Sequence, residues 1–331
     1  MKFQGRRAAI HAIRDYFPQQ IVTNKDLESL VATSDEWIRE RTGIRERRRS
    51  QPHETPAFMG TEAARQLFQD RQIDPNTIDL VICATITADY SFPASACLVQ
   101  SNLGCNNAFA FDLNAACSGY LYGLETARAF VESGRANRVL LIAAEKMSSI
   151  LDFEDRTTCI IFGDAGSATL VEEAQDDQSY IIDSALRSDG SGREFLFMPA
   201  GGSIMPPSQE SVAQRLHFVK QDGKAVFKRA VTDMAQICET LLERNHLKVS
   251  DIDLFVPHQA NQRIIDSVAE RLQMPREKVA INIDRFANTT AATIPTALVD
   301  AQRKGQVKKG MLCLLAAFGA GYTWGATLLR I

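Results

Sequence analysis

Short, almost unbroken apolar runs recur along the chain, and each is followed by a stretch whose apolar residues return at helical spacing. Residues 78–85 (IDLVICAT) and 252–259 (IDLFVPHQ) both open on Ile-Asp-Leu, continue as a buried-strand run and end in polar residues. Helical stretches follow at 94–103 and 261–272. A second strand-like run then leads into a loop in each case, residues 109–113 toward Cys117 and residues 279–283 toward Asn288. Both loops enter apolar helices, which stop at Gly134 and Gly305 ahead of a polar turn and another buried strand. Residues 162–170 (FGDAGSATL) then echo residues 318–328 (FGAGYTWGATL), with glycines that suit tight turns or close backbone approach.

The chain therefore reads as a duplication. Alternating strands and helices predict an α/β protein whose sheets are covered by helices, with two such units face to face and a cleft where they meet. The polar stretch 172–178 places the boundary near residue 175, giving an N-terminal half at 1–175 and a C-terminal half at 176–331. Residues 118–131 are apolar around most of a helical circumference and so predict a helix buried inside the molecule. Residues 188–222, with Gly201-Gly202 and Pro206-Pro207, read as loops.

With 331 residues and 45% hydrophobic content, the chain can bury two ordinary cores. Its formal net charge of -3 provides no global basic field for nucleic acid or an anionic membrane, so an anionic partner has to meet a local patch. Near the N-terminus, His11, Arg14 and Asp15 break the apolar stretch, unlike a secretory leader. No run approaches the roughly 20 apolar residues of a spanning helix. A cytoplasmic location is expected. The seven cysteines lie mostly in apolar segments, without a C-x-x-C pair or a histidine at metal-ligand spacing, so reduced thiols and no metal site are expected.

Three polar residues stand out. Cys117 occupies a strand-to-helix turn, Asn-Ala-Ala-Cys-Ser-Gly, where helix amides and the macrodipole favour a thiolate able to attack a thioester. From position alone, a small buried thiol is an equal reading, and it is the reading kept for the other cysteines. His258 follows a buried strand and precedes a helix; it serves either as a donor and proton carrier near neutral pH or as a satisfied structural histidine. Asn288 is either a helix cap or a neutral donor beside His258. The repeat puts Cys117 and Asn288 on corresponding loops and His258 on a neighbouring strand end, so all three converge on one cleft.

The ordered motifs Ser34-Asp35-Glu36-Trp37-Ile38 with Arg41-Thr42-Gly43-Ile44, Ala115-Ala116-Cys117-Ser118-Gly119, Asp155-Arg156, Pro257-His258-Gln259-Ala260-Asn261, Asn288-Thr289 and the 318–325 glycine turn span nearly the whole chain. In them the sequence resembles β-ketoacyl-acyl-carrier-protein synthase III, the initiating condensing enzyme of type II fatty acid synthesis within the thiolase superfamily. The resemblance implies a thiolase-like, duplicated αβαβα five-layer fold, a homodimer and a Cys-His-Asn triad. It also implies an acyl-CoA starter and malonyl-acyl carrier protein as extender, with no cofactor beyond the coenzyme A thioester itself.

By the same resemblance, Cys117 carries the acyl group, while His258 and Asn288 stabilise the enolate formed by decarboxylation. The backbone N–H groups of Cys117 and Ala320 would hold the tetrahedral oxyanion; Ala320 stands where the family often has glycine. Thr33, Trp37, Arg41 and Arg156 match coenzyme A contacts, with Trp37 and Arg156 on either side of the adenine. An ordinary half-buried tryptophan, and a solvated basic loop at 45–49, are the plain alternatives. Lys228 and Arg263 match carrier-protein contacts, whereas Glu270 and Arg271 stand where the family pairs basic residues, which weakens that patch. Phe92 matches the residue that closes the partner's acyl pocket, or is plain interface core.

A degradative thiolase would need a second catalytic cysteine near the C-terminal glycines, and Cys313 lies instead within an apolar strand. A starter-unit enzyme or acyltransferase of polyketide or quinolone synthesis, and a non-catalytic acyl-carrier-binding scaffold, share the expected fold. The starter is left open, because a methylene changes selectivity by only about 1–3 kcal/mol.

Overall fold

Apolar runs too continuous to face water on either side become the central strands of mixed sheets. The computed structural model describes residues 5–331; residues 1–4, part of the N-terminal segment read above, lie outside the described residues. The first sheet contains β1 (Ala8–Tyr16), β2 (Leu80–Ala84), β3 (Phe109–Leu113), β4 (Arg138–Glu145) and β5 (Ala165–Glu173), in the order β1-β5-β4-β2-β3. The second contains β6 (Tyr180–Ser188), β7 (Leu254–Pro257), β8 (Leu312–Gly319) and β9 (Thr323–Arg330), in the order β7-β8-β9-β6. The two sheets follow one plan. A parallel pair (β2 with β4, β7 with β8) is extended by an antiparallel strand that follows in sequence (β5, β9) and then by a second antiparallel strand (β1, β6).

One expected strand is corrected. The position of β3 is taken in the second sheet by residues around Val279, where a single bridge to Phe255 remains before the chain turns into the short helix Ile283–Phe286. The buried Gln259 side chain ends the ladder. Its Nε2 donates to Pro257 O (2.7 Å) and Ala280 O (3.2 Å), and its Oε1 accepts from Asn282 N–H (3.1 Å), so groups that a longer strand would pair are already used.

The helices that matter to the site are α1 (Asp35–Thr42), α2 (Pro56–Arg71), α3 (Ser95–Leu103), α4 (Gly119–Glu132), α5 (Gly223–Arg244), α6 (Gln262–Arg271) and α7 (Thr293–Arg303). α2 and α3 cover the outer face of the first sheet, α5 and α6 cover that of the second, and α4 and α7 fill the space between the sheets. The result is the duplicated αβαβα arrangement. The buried helix expected at 118–131 is α4, which sinks Tyr120, Leu121, Leu124, Ala127 and Val131 into the central layer.

The basic segment at 45–49 is not a solvated loop. Residues Glu46–Arg49 pair as a strand with Gln20–Thr23, and Arg47 is only 4% exposed. Its guanidinium donates to Val22 O (3.2 Å), Asn24 Oδ1 (2.9 Å) and Ile160 O (2.9 Å), and burial lowers its pKa to about 10. No described helix is long and apolar enough to cross a membrane.

Close approach between layers depends on small residues. A Cβ on Gly166, in β5, would lie 2.7 Å from the backbone carbon of Met59 in α2, a contact that backbone cannot relieve by changing rotamer. Gly166→Ala is expected to destabilise the fold by about 1–3 kcal/mol. Urea unfolding should show this as a lower midpoint with an unchanged slope; an unaltered midpoint would mean that α2 lifts freely off the sheet.

Candidate active site

After β3 the chain passes through Asn114-Ala115-Ala116 into the 3-10 turn Ala116–Ser118 and then into α4, with Ala116 held at φ 47°. No side chain caps this turn. Ser118 N–H closes it onto Ala115 O (3.0 Å), while Cys117 sits at the leading end of the central helix, where amides are not all consumed by helical bonding. The second half repeats the same backbone. Asn288-Thr289 lead into the turn Thr290–Ala292, where Thr289 makes no side-chain cap, with Thr290 at φ 49°, and then into α7.

Aligned on these left-handed residues, Asn114 matches Asn288, and Ala291 matches Cys117. The loops correspond, as the repeat predicts, but the two functional candidates occupy different places on them. In one elbow the fourth residue carries the sulfur; in the other the first residue turns its amide inward. The elbows also touch, since a Cβ on Gly119 would lie 3.3 Å from the Cβ of Ala291.

Cys117, His258 and Asn288 are 5%, 2% and 4% exposed, and all three line one cavity of about 310 Å³ together with Phe318, Gly319 and Asn261. His258 follows β7; its N–H donates to Ala316 O (2.7 Å), and its Nδ1 lies 2.6 Å from Thr293 Oγ1. Asn288 is fixed across the halves, its N–H donating to Ile161 O (3.0 Å) and its carbonyl accepting from Gly163 N–H (3.0 Å). Its side-chain Oδ1 accepts from Thr290 N–H (2.8 Å). The amide Nδ2 is therefore the end left to meet a ligand.

The electrostatics depart from one expectation. Burial pushes the Cys117 thiol up to about 12, with a further contribution from the Glu145 charge, and its own backbone N–H offsets only part of this. Burial likewise lowers His258 to about 3. Burial thus favours a thiol and a neutral imidazole in the resting pair, because desolvation penalises the charged form of each. Glu145, fully buried at the end of β4, accepts from Thr85 Oγ1 (3.2 Å), Ile86 N–H (3.2 Å) and Thr87 Oγ1 (2.6 Å), yet burial still raises it to about 7. Nothing in its sequence neighbourhood distinguishes it from any strand-end carboxylate.

Cys117 is also part of the wall of a second chamber, about 370 Å³, lined by Ile86, Met147, Ile150, Phe162, Leu196 and Val219. Ala320 and Thr290 share that wall; Thr290 Oγ1 is buried and has no hydrogen-bond partner among the described residues. The turn between β8 and β9 is tied to the elbow. Thr323 Oγ1 lies 2.8 Å from Ala115 O and 3.1 Å from Ala320 O, and Ser118 Oγ donates to Thr323 O (2.9 Å). Sequence reasoning passed over Thr323 and Thr293; the first lies inside the 318–325 turn already singled out, and the second follows Asn288-Thr289 by four residues.

At the mouth, α1 presents Trp37 with the Arg41 guanidinium 4.9 Å and the Arg156 guanidinium 5.1 Å from its ring centre. Arg156 also donates to Ala32 O (2.9 Å), and Thr33 Oγ1 is buried without a partner among the described residues. Asn261 caps α6 through Arg263 N–H (2.8 Å) and donates to Arg41 O (3.0 Å), while Arg263 donates to Glu40 O (3.1 Å). These bonds pin α1 beside the cavity that Asn261 lines. Lys228 and Arg263 are exposed on α5 and α6, as are Glu270 and Arg271. Phe92, ahead of α3, is 87% exposed and stands apart from the triad. A larger concavity of about 840 Å³, lined by Arg39, Arg45, Arg276 and Arg285 among others, contains none of the triad.

The family model described as 3-oxoacyl-[acyl-carrier-protein (ACP)] synthase III matches residues 111–190, and that of its C-terminal part matches residues 242–331. A β-ketoacyl-[acyl-carrier-protein] synthase III from Chlorobaculum tepidum is 50% identical over 326 residues, covering 98% of this chain and 99% of its own. One from Solibacter usitatus is 51% identical, with 98% of both chains covered. The solved 3-oxoacyl-[acyl-carrier-protein] synthase III from Aquifex aeolicus VF5 superposes with a TM-score of 0.90 at 42% identity, covering 98% of this chain and 100% of that one. The priming β-ketosynthase of the R1128 polyketide pathway gives a TM-score of 0.90 at 34% identity, covering 100% and 98%.

The tie between elbow and turn yields a test. A Cβ on Gly319 would lie 2.7 Å from the Cys117 backbone nitrogen. Losing an amide donor at such a place costs about 10²–10³ in rate. Gly319→Ala should therefore slow acyl transfer to Cys117 by that order while the circular dichroism spectrum is retained; an unimpaired rate would show that the Cys117 N–H has no part in the reaction.

Proposed function

The chain belongs to the 3-oxoacyl-acyl-carrier-protein synthase III family, and from that premise we propose how its residues divide the work of a decarboxylative condensation. As a member it is a condensing acyltransferase that initiates fatty acid synthesis. The observation that carries the assignment is that Cys117, His258 and Asn288, from three separate segments, line one cavity while Cys117 also borders an apolar chamber.

In the first half-reaction Cys117 sulfur attacks the carbonyl of an acyl-CoA starter, splitting one difficult step into two easier ones. The oxyanion is held by the backbone N–H groups of Cys117 and Ala320, dipoles already fixed by the Thr323 and Ser118 hydrogen bonds. Collapse expels the coenzyme A sulfur, and the acyl chain enters the apolar chamber. In the second, malonyl-acyl carrier protein loses its carboxylate as carbon dioxide, and the electron pair becomes an enolate whose oxygen accepts hydrogen bonds from His258 and from Asn288 Nδ2. The enolate carbon attacks the acyl-cysteine, and collapse frees Cys117 and the β-ketoacyl product. The enzyme itself supplies only donors, a nucleophile and a dry cavity.

Thr33, Trp37, Arg41 and Arg156 form the coenzyme A site at the mouth. Arg156 swings off the Trp37 ring to let the adenine lie between them. Lys228 and Arg263 meet the acidic carrier, with Glu270 weakening the patch. Phe92 is the residue through which a second copy closes the chamber, which makes the working unit a homodimer; such exposure of a large aromatic ring is what an interface would remove. The halves divide near residue 175, and the enzyme acts in the cytoplasm. The likeness to a polyketide priming synthase keeps a secondary-metabolite starter as the second reading.

Intact-protein mass spectrometry after incubation with a panel of acyl-CoAs, followed by malonyl-acyl carrier protein, tests the reading. Cys117 should gain the acyl mass and lose it as a β-ketoacyl product; Cys117→Ala should gain none, and Asn288→Ala should acylate but condense poorly. Acylation without condensation in the wild type would leave an acyltransferase, and equal loss of both half-reactions in Asn288→Ala would sink the role given to that amide.

A further inference from the structure

Glu145, the last residue of β4, is fully buried and close enough for its charge to weigh on the Cys117 thiol, yet the condensation above gives it no part. Its carboxyl is met by the three residues that follow β2. Backbone groups settle the polarity of that contact, since an N–H can only donate. Lys146 N–H donates to Thr87 Oγ1 (2.9 Å), and Thr87 N–H donates to Thr85 Oγ1 (3.1 Å). Each hydroxyl keeps its single proton for Glu145, Thr87 at 2.6 Å and Thr85 at 3.2 Å, and Ile86 N–H is a third donor at 3.2 Å. Three donors converging on one side chain suit an ionised carboxylate, which only accepts; an amide there would turn N–H groups toward one of them.

What this carboxylate holds is a wall. The ladder of β2 ends with Thr85 N–H on Leu113 O (3.2 Å), so the N–H of the next residue, Ile86, is held by Glu145 instead. Ile86 and Cys117 line the same apolar chamber. The segment is also tied at its far end, which leaves it no slack to take up there. Asp89 N–H donates to Ser95 Oγ (3.0 Å), and Asp89 Oδ2 accepts from Ser95 Oγ (2.9 Å) and Ala57 N–H (3.0 Å). Asp112 accepts from the N–H groups of Ser95 and Ala96 at the start of α3 (2.8 Å each).

We infer that Glu145 is a positioning residue for the starter: by tying residues 85–87 to the end of β4 it fixes the Ile86 wall of the chamber, and with it the length of acyl chain that Cys117 accepts. The inference rests on the reading above that the acyl chain enters this chamber. An apolar pocket tells homologous chains apart only as far as its wall refuses to move, and hydrogen bonds to a charged acceptor are roughly twice as strong as neutral ones. The Glu145 charge works against a Cys117 thiolate, so its place beside the sulfur is that of a support and not of an activator.

The test follows acylation of Cys117 in the full-length protein by intact-mass measurement in single turnovers. It compares the straight-chain acyl-CoA that the wild type takes best with its homologue two methylenes longer. Glu145→Gln removes the charge and presents an N–H to a donor, whereas Thr87→Val removes the shortest tie and leaves the charge in place. Discrimination against the longer chain should fall by about tenfold in both, as it should in Ile86→Ala, which opens the wall directly. Thr87→Ser, which keeps the hydroxyl, should retain the wild-type ratio. If both starters slow together in folded Glu145→Gln and Thr87→Val, with their ratio unchanged, the carboxylate serves folding alone and the inference is overturned. A changed ratio in Glu145→Gln only would overturn it as well, by assigning the effect to charge and not to the wall. Failure of every acyl-CoA to acylate the wild type at Cys117 would instead overturn the condensation reading, so the two failures are distinguishable.

Discussion

Two helices that start in the middle of the molecule constrain everything else. α4 and α7 run between the sheets, and each begins from a tight turn with a left-handed residue, Ala116 or Thr290, bending the chain into it; only the second turn has a side chain on its first amide, that of Asn288. Buried helix ends normally need partners for their free amides. Here those ends abut each other, with Gly119 beside Ala291, and face a cavity. The pseudo-symmetry of the fold thus produces one polar spot in a desolvated layer, and the sulfur, the imidazole and the amide are gathered there.

Desolvation then decides the resting chemistry. With water excluded, neither a thiolate nor an imidazolium is stable alone, and Glu145 nearby adds to the cost of negative charge on Cys117. A site so buried favours the neutral form of the Cys117 thiol at rest. The hydrogen bonds of Thr323, Ser118, Thr293 and Asn288 supply rigidity in place of charge, fixing where donors point before any bond forms.

The mouth is built on the same economy of ties. Asn261, three residues after His258, caps α6 and also holds the end of α1 through Arg41 O, so the strand end that delivers the imidazole also sets the position of Trp37 and Arg41. Arg47, which sequence alone left open as a surface charge, is instead buried between the N-terminal hairpin and Ile160, joining the segment that leads to Gly163 and Asn288. A disturbance at the mouth therefore has a short covalent and hydrogen-bonded route to the triad.

Much of this was legible in the sequence. Strand and helix periodicity, the echo of 78–85 in 252–259 and of 162–170 in 318–328, and the glycine stops determined a duplicated α/β chain, because these patterns are local and record which face of each element is buried. Motif order pointed to Cys117, His258 and Asn288, and the tertiary structure placed them on one cavity. What the sequence could not carry were effects that depend on groups far apart in the chain. The strand expected at 279–283 ended because the Gln259 side chain reached the ladder first, and the thiolate expected from helix amides gave way because burial is a property of the assembled cavity. His258 Nδ1 meets a hydroxyl 35 positions away, that of Thr293, which no local pattern announces. Periodicity tells which side of an element is apolar; only the packed chain decides which polar atoms are left facing one another once water has gone.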